Sequence, residues 1–375
     1  MLQLLVSPQS VVKSSMGSAI LAWISAVMVF AMTLTTASPV HPPTRTASAP
    51  TGKTFVVGAL PGTSCQVFPS DNVWNTDISR MPVNVHSAAW LSSTGATAGR
   101  LLHPDFGGPP YGIPFNLVHT SHATTNFTFQ YATESDPGSY PYGSDLVREA
   151  PTDSHLLSVD QDTCKLYETW ATDYNGPSTA GSGAIFDLHS NQLRPAGWTS
   201  ADAAGLPILP GLLRLDEVQA GVVSHAIRFT VQSSDRSYLW PARHQAGSAN
   251  DPNLPPMGAR FRLKAGFDVT GFGASAQVVL TAMKRYGLIV ADNGSNWFFQ
   301  GTMDAAWDSA PYPTMIAQLK TVPANAFEAI DESSLMVDPN SARADPRHVL
   351  QSTGPPAAAR TPVNQSGIAP SPPPR

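Results

Sequence analysis

The sequence predicts a mainly β fold, either an antiparallel β-sandwich or a barrel-like domain, with a few packed helices. Short segments of alternating apolar and polar residues recur along the chain, and Gly, Pro, Asp and Asn separate them. This alternation is typical of antiparallel strands with one face in the core and one face in water. Only 13% of the residues are charged, against about 25% in ordinary soluble domains. Such a composition favours a secreted β-rich protein.

Both ends of the chain are expected to lie outside the folded domain. Within residues 1–37, Lys13 precedes a long uncharged apolar run that closes with small residues, which is the pattern of a secretory signal peptide. An uncleaved membrane anchor is the alternative, because the run is long enough to span a bilayer. Residues 38–62 and 338–375 are rich in Pro, Ala, Ser and Thr, which predicts a flexible tether and a disordered tail. A single globular domain is therefore expected over residues 63–337, outside the cytoplasm.

Two kinds of segment predict β-strands. Period-two alternation is found in residues 126–131, 222–231 and 260–268, and short apolar runs bounded by Asp, Gly or Asn are found at residues 155–160, 165–170 and 184–188. In residues 222–231 His225, Ile227 and Phe229 share the apolar face, and Arg228 lies on the other. The alternating segments predict strands that are half exposed to water.

Two segments have helical spacing. Residues 275–286 place apolar side chains on one helix face, and Lys284 and Arg285 precede Gly287, as is typical of a helix C-terminus. A shorter helix is predicted over residues 212–220. After the longer helix, two apolar runs flank the sequence Asp-Asn-Gly-Ser, which predicts a β-hairpin over residues 288–300.

The chain contains two cysteines, Cys65 and Cys164, both inside the expected domain. In an oxidising compartment an isolated pair most simply forms one disulfide. Two unpaired buried thiols are the alternative. No Cys-x-x-Cys or Cys/His ligand spacing for a structural zinc accompanies them.

No cofactor, metal or nucleic acid is expected. His119 and His122, with His103 and Asp105 upstream, have the residue types of a metal site, but no Glu general base accompanies them, so a solvated turn is favoured. Gly-rich phosphate loops and dinucleotide fingerprints are missing from the sequence. The net charge of −5 gives no basic surface for nucleic acid.

Two histidines are the candidate proton-transfer groups. His225 lies in the strand predicted over residues 222–231, and His244 ends the segment Trp-Pro-Ala-Arg-His. An imidazole beside Arg228 or Arg243 is suited to general acid/base catalysis, with the guanidinium binding an anion or a hydroxyl group. For His225 alone, a hydrogen-bonded core histidine is the favoured interpretation, because buried polar groups are almost always paired. For the arginines the alternative is a structural ion pair.

Aromatic rings and carboxylates suggest a glycan as the ligand. Trp198, in a long loop of small residues, and Trp240 offer flat faces on which sugar rings pack. Glycoside hydrolysis needs two carboxyl groups across the scissile bond, and the preferred pair is Glu168, in a predicted strand, with Asp202, in the loop. In the structural alternative Trp198 covers the core and Asp202 caps a turn. Other carboxylates available for this role are Glu134, Asp136, Asp187, Asp216, Glu217 and Asp292.

A set of short motifs carries a resemblance. The motifs are HPDFG at 103–107, ESDPG at 134–138, CKLYE at 164–168, GWTSADAAG at 197–205, WPARH at 240–244 and ADNGS at 291–295. Together they resemble a group of secreted microbial proteins known only as hypothetical. The resemblance covers roughly residues 68–307. It implies a single exported domain and implies no activity and no catalytic residue.

We therefore expect an extracytoplasmic carbohydrate-active enzyme, a glycoside hydrolase or a polysaccharide lyase, whose partner is a polysaccharide or another glycan. The candidate histidines and carboxylates would transfer protons, and the arginines and tryptophans would bind the substrate. The alternative is a non-catalytic secreted or cell-surface module that binds glycans or has a structural role. Convergence of the histidines, the arginines and a carboxylate in one cleft would support the enzyme, whereas their dispersal would count against it.

Overall fold

The computed structural model describes residues 56–107, 111–150, 153–173 and 178–349. The signal peptide or anchor expected over residues 1–37, most of the tether and the tail beyond residue 349 lie outside these ranges. Within the described ranges, no helix is both long and apolar enough to cross a membrane.

Two larger sheets and two small ones are built from short strands. The strands are β1 (His103–Asp105), β2 (Phe115–Val118), β3 (Thr124–Asn126), β4 (Thr128–Phe129), β5 (Ser139–Pro141), β6 (Leu156–Asp160), β7 (Lys165–Trp170), β8 (Thr179–Ala180), β9 (Ser182–Asp187), β10 (Ile227–Val231), β11 (Arg260–Leu263), β12 (Leu288–Asn293), β13 (Phe298–Gln300) and β14 (Phe327–Ile330). The α-helices are α1 (Ser87–Ser93), α2 (Leu215–Ala220), α3 (Ala274–Arg285), α4 (Tyr312–Leu319) and α5 (Pro346–Val349).

The larger sheet has the strand order β1-β13-β10-β12-β11-β14, and the second has the order β2-β6-β7-β9. The pairs β1·β13, β10·β12 and β2·β6 are parallel, whereas the other pairs in these two sheets are antiparallel. The prediction of a β-rich fold with a few helices is confirmed. The prediction of an antiparallel arrangement is wrong, because both larger sheets are mixed, and the barrel-like alternative does not form, because neither sheet closes.

Strand β10 shows why alternation was misleading here. All five of its residues are buried, including Arg228 and Thr230 on the face predicted to be wet. The polar side chains on this face are paired inside the protein, so their polarity does not indicate exposure. A strand buried on both faces in a mixed sheet is accordingly typical of α/β-like packing rather than of a half-exposed hairpin.

The predicted hairpin over residues 288–300 does not form. Strands β12 and β13 both pair with β10, which lies between them. The turn that joins them passes over the end of β10, where the Gly294 N–H donates to the Val231 carbonyl and the Trp297 N–H donates to the Thr230 carbonyl. The turn residues were recognised, but the strand that separates the two runs comes from a segment about 60 residues earlier in the chain.

Both predicted helices are present. Helix α3 ends at Lys284 and Arg285, as predicted, and helix α2 ends at Gly221, whose φ of 78° is left-handed. The strand predicted over residues 126–131 is reduced to the two-residue β4 after the short β3.

An aromatic cluster fills the core of the larger sheet. Trp297 lies at ring-centroid distances of 5.4 Å from Phe229, 5.5 Å from Phe261 and 5.3 Å from Phe327. All four side chains are fully buried. Each ring buries about 150–250 Å² of surface, so the cluster contributes much of the hydrophobic stabilisation of this sheet.

The disulfide Cys65–Cys164 is present and links the start of the described domain to the turn after β6. The packed part of the chain extends beyond the expected boundaries. Leu60, in the predicted tether, is buried, as are Ala342 and Ala344 in the predicted tail. Residues 338–345 therefore belong to the packed domain, and the boundary expected at residue 337 is too early.

Candidate functional site

A cleft of about 420 Å³ lies where ends of strands from the two larger sheets meet. Trp170 ends β7, Ser182 begins β9, and Asp292 lies near the end of β12. The remaining wall comes from loops, through Glu134, residues 199–203 and residues 244–246. Functional side chains often lie on loops that are held by a rigid sheet, so this cleft is the candidate site.

Tyr131 and Trp170 form an aromatic wall of the cleft. Their ring centroids are 6.4 Å apart and the ring planes are inclined by 35°. Trp170 lies against Gly181, where an added Cβ would be 2.1 Å from the indole ring. A residue with a side chain at position 181 would therefore displace the ring, so the glycine is needed for the position of Trp170.

His244 and Glu134 form a pair on another side of the cleft. His244 Nδ1 lies 3.0 Å from the Ala203 carbonyl oxygen, which makes Nδ1 the donor. Nε2 is then the atom available for proton transfer, and it lies 3.6 Å from Oε2 of Glu134. Both side chains are partly exposed, at 22% and 31%. The Glu134 carboxylate also accepts a long 3.4 Å hydrogen bond from the Thr199 N–H.

Asp292 is the most perturbed acid in the cleft wall. Burial and the negative charge of Asp202 raise its pKa, the Arg228 guanidinium opposes them, and the net value is about 7. Oδ1 accepts a 2.6 Å hydrogen bond from the Asn293 N–H. Among the described residues, none hydrogen-bonds to Oδ2. The site therefore contains a carboxyl group that is still partly protonated near neutral pH.

A buried ion cluster supports the floor of the cleft. Arg228 donates to both oxygens of Asp202, at 2.7 and 2.6 Å, and also to Gln300. His155 lies 2.5 Å from a Glu149 oxygen and 3.2 Å from the Ala201 carbonyl. Burial lowers the pKa of His155, but the hydrogen bond with Glu149 and the negative charge of Glu149 together outweigh this effect, and the net shift is upward. Charges in this cluster are compensated inside the protein, as buried charges must be.

Glu168, one of the predicted catalytic carboxylates, is fully buried and does not line the cleft. It accepts hydrogen bonds of 2.9 Å from the Ile208 N–H and the Leu209 N–H. Burial raises its pKa to about 7, although the two backbone donors act in the opposite direction. Through these hydrogen bonds the Glu168 carboxyl holds the backbone at the start of the 3₁₀ turn Leu209–Gly211.

Of the remaining preferred catalytic and substrate-binding residues, only His244 lines the cleft, whereas Asp202 and Arg228 lie buried behind it. His225 is a core histidine: Nδ1 is 2.7 Å from the Ala226 carbonyl and Nε2 is 3.1 Å from Glu217. This confirms the favoured structural interpretation of His225 and gives no support to its catalytic role.

The predicted substrate-binding residues are also engaged elsewhere. Arg243 donates to the carbonyls of Arg194 and Pro339, at 2.6 and 2.5 Å. Trp240 donates from Nε1 to the Ser341 carbonyl at 2.9 Å. Trp198 packs against the Arg194 guanidinium, 5.6 Å from the ring centroid. The expected convergence of both histidines and both arginines in one cleft does not occur, because three of the four are needed inside the fold.

Sequence patterns did not indicate Tyr131 and Trp170 as cleft residues. They indicated Glu134 and Asp292 only as further carboxylates besides the preferred pair. The available signal was the position of Trp170 at the end of an apolar strand, with Gly181 immediately before the neighbouring strand β9 and Gly183 within it. The motifs that contain Glu134, residues 199–203, His244 and Asp292 do converge on the cleft.

The polar candidates for metal binding are arranged as surface pairs. His119 lies 2.9 Å from Asp162, and His122 lies 3.1 Å from Asp145. In the part of the chain that the structure describes, no group of three or more His, Cys, Asp or Glu side chains is placed to hold a metal ion.

Comparison with known proteins gives no match to this chain among family models, curated proteins or solved structures.

Proposed function

We propose that the chain is a secreted carbohydrate-active enzyme that hydrolyses glycosidic bonds in this cleft, with Asp292 as the general acid and Glu134 as the second carboxyl group. The observation that carries the proposal is the meeting of an aromatic wall, Tyr131 and Trp170, with Asp292, Glu134 and His244 in one cavity. Aromatic faces bind sugar rings, and two carboxyl groups are what glycoside hydrolysis requires. The disulfide supports a location outside the cytoplasm.

The proton balance of the reaction is direct. The Asp292 carboxyl donates its proton to the glycosidic oxygen as the bond from that oxygen to the anomeric carbon breaks. Water adds to the anomeric carbon, and Glu134, next to His244, takes the proton that the water loses. A general acid is most effective when its pKa is near the working pH, and the pKa of Asp292, about 7, meets this condition.

A non-catalytic glycan-binding module is the second candidate function. The observation that favours it is the dispersal of the predicted catalytic residues, since His225 and Arg243 are hydrogen-bonded inside the fold. In this case the aromatic wall binds the sugar, and Asp292 and Glu134 contribute hydrogen bonds without turnover.

The test uses the full chain, since Arg243 and Trp240 have partners at residues 339 and 341 that a fragment ending at residue 337 would lack. The protein is incubated with a panel of polysaccharides. Hydrolysis is read as new reducing ends, and a lyase reaction is read as ultraviolet absorbance from unsaturated uronic acids.

Asp292→Asn is the decisive variant, because Asn retains the shape of the protonated acid and cannot donate the catalytic proton. We expect kcat to fall by about 10²–10⁴-fold, the usual contribution of a general acid, with glycan affinity retained. Asp187→Asn, at an exposed acid that does not line the cleft, is the matched control and should keep full activity. Glycan binding without any turnover would favour the module. Full activity of Asp292→Asn would overturn the mechanism.

A further inference from the structure

The lining of the cleft is acidic. Glu134, Asp153 and Asp292 contribute carboxyl groups, His244 is the single imidazole, and no Lys or Arg is found among the described lining residues. A binding site for an anionic sugar such as a uronate needs a cation to neutralise the bound carboxylate. The lining of this cleft carries carboxyl groups instead, so its charge would repel a bound carboxylate.

The nearby arginines do not supply the missing cation. Arg228 is occupied by both oxygens of Asp202, Arg194 is paired with Asp136, and Arg243 donates to backbone carbonyls. All three side chains are buried. Breaking such pairs to bind a ligand would leave a buried charge uncompensated, which is strongly unfavourable.

The uncharged part of the lining fits a sugar better than an extended peptide. The indole of Trp170 lies beside the phenol ring of Tyr131, and Gln245 and Asn293 add amide groups that hydrogen-bond to hydroxyls. Aromatic faces also attract protonated amines. The partly buried carboxyl of Asp292 also lines the cleft, and no described residue hydrogen-bonds to its Oδ2, so this oxygen can accept a hydrogen bond from a ligand.

We propose that the cleft selects glycans that carry protonated amines, namely amino-sugar polymers in which part or all of the amino groups are not acylated. This inference rests on the proposed function of the same cleft and adds the substrate class. The sugar ring packs on Trp170, and the ammonium group lies near the carboxylates of Glu134 and Asp153. Uronic-acid polymers, and with them the lyase reaction, are excluded by the same charge.

The test compares three oligosaccharides of equal length, a β-1,4-linked glucosamine oligomer, its fully N-acetylated counterpart and an oligogalacturonate. Binding to the full chain is measured by calorimetry at low and high salt. We expect the free-amine oligomer to bind at least about tenfold more tightly at about 10 mM ionic strength, where charges act over about 30 Å. This preference should largely disappear at about 1 M salt, where the screening length is about 3 Å.

Variants locate the effect in the cleft. Glu134→Gln and Asp153→Asn should each weaken binding of the free-amine oligomer about two- to fivefold, which is the usual range for a partly exposed ion pair. Binding of the acetylated oligomer should change less. Asp187→Asn removes the same charge from the surface elsewhere and should leave the preference unchanged. An oligolysine of equal charge tests whether the net charge of −5 alone attracts cations.

Two failures are distinguishable. A strong preference for the free-amine oligomer without turnover of any glycan would refute the proposed hydrolase and leave the substrate class standing. Turnover with equal or tighter binding of the acetylated or uronate oligomer would retain the hydrolase and overturn this inference. Equal competition by oligolysine, or an equal effect of Asp187→Asn, would also overturn it, because the attraction would then be unspecific.

Discussion

Glu168→Gln is predicted to change the pH dependence of stability. Glu168 lies on β7, is fully buried, and accepts hydrogen bonds from the N–H groups of Ile208 and Leu209. Burial raises the pKa of Glu168 from 4.5 to about 7. Gln has the size and shape of the protonated acid and keeps an oxygen acceptor for the backbone donors, but it does not ionise.

The magnitude follows from the linkage between protonation and folding. Between pH 4.5 and about 7 the folded protein keeps the Glu168 proton, whereas the unfolded chain has released it. The stabilisation by the protonated acid is complete below pH 4.5 and is lost as the pH rises through this range. The slope approaches about 1.4 kcal/mol per pH unit midway between the two pKa values and is smaller near each of them, so the free energy of unfolding falls by about 2 kcal/mol between pH 5 and pH 7 because of Glu168.

The assay is urea unfolding of the full chain at pH 5, 6, 7 and 8. The free energies of unfolding of wild type and Glu168→Gln should differ least at pH 5, and the difference should move by about 2 kcal/mol in favour of the variant by pH 7. Asp292 and Glu332 also have pKa values raised to about 7 by burial, so wild type and variant both lose further stability over the same range, and this loss cancels in their difference. Parallel pH profiles for wild type and variant would refute the reasoning.

Three further predictions concern the disulfide, the ion cluster and the aromatic wall. Replacing Cys65 and Cys164 by Ser opens a loop closed across 99 residues and should lower the free energy of unfolding by about 4–5 kcal/mol in the chain-entropy model, as measured by urea unfolding; an unchanged midpoint would contradict this. Asp202→Asn leaves a buried guanidinium without its charge partner and should cost about 3–5 kcal/mol in the same assay, whereas a loss below about 1 kcal/mol would show that the pair is not fully desolvated. Gly181→Ala places a Cβ 2.1 Å from the indole ring of the cleft; tryptophan fluorescence should shift and glycan affinity should fall while the domain stays folded, and unchanged affinity would remove the aromatic wall from the site.

The sequence was sufficient where local pattern and chemistry decide the outcome. The spacing of apolar residues and the basic C-terminus predicted α3, and the pair of cysteines in an export context predicted the disulfide. The β-rich class also followed from alternation. Even the favoured interpretation of His225 was local in origin, since its position on the apolar face predicted a core histidine, and Glu217 provides the partner.

Tertiary structure alone decided the strand order and the site. Strand β10 separates β12 from β13, which no local pattern indicates, because pairing depends on contacts between segments distant in sequence. The same limit applies to charge. Asp292 looked like an ordinary turn residue in the sequence, and its pKa rises because the fold buries it beside Asp202. Conversely, Arg243 looked like a ligand-binding residue, and the fold uses it to hold carbonyls that lie about 50 and about 100 residues away along the chain. Sequence determines which groups are present and their local periodicity, whereas burial and distant partners determine their protonation and their role.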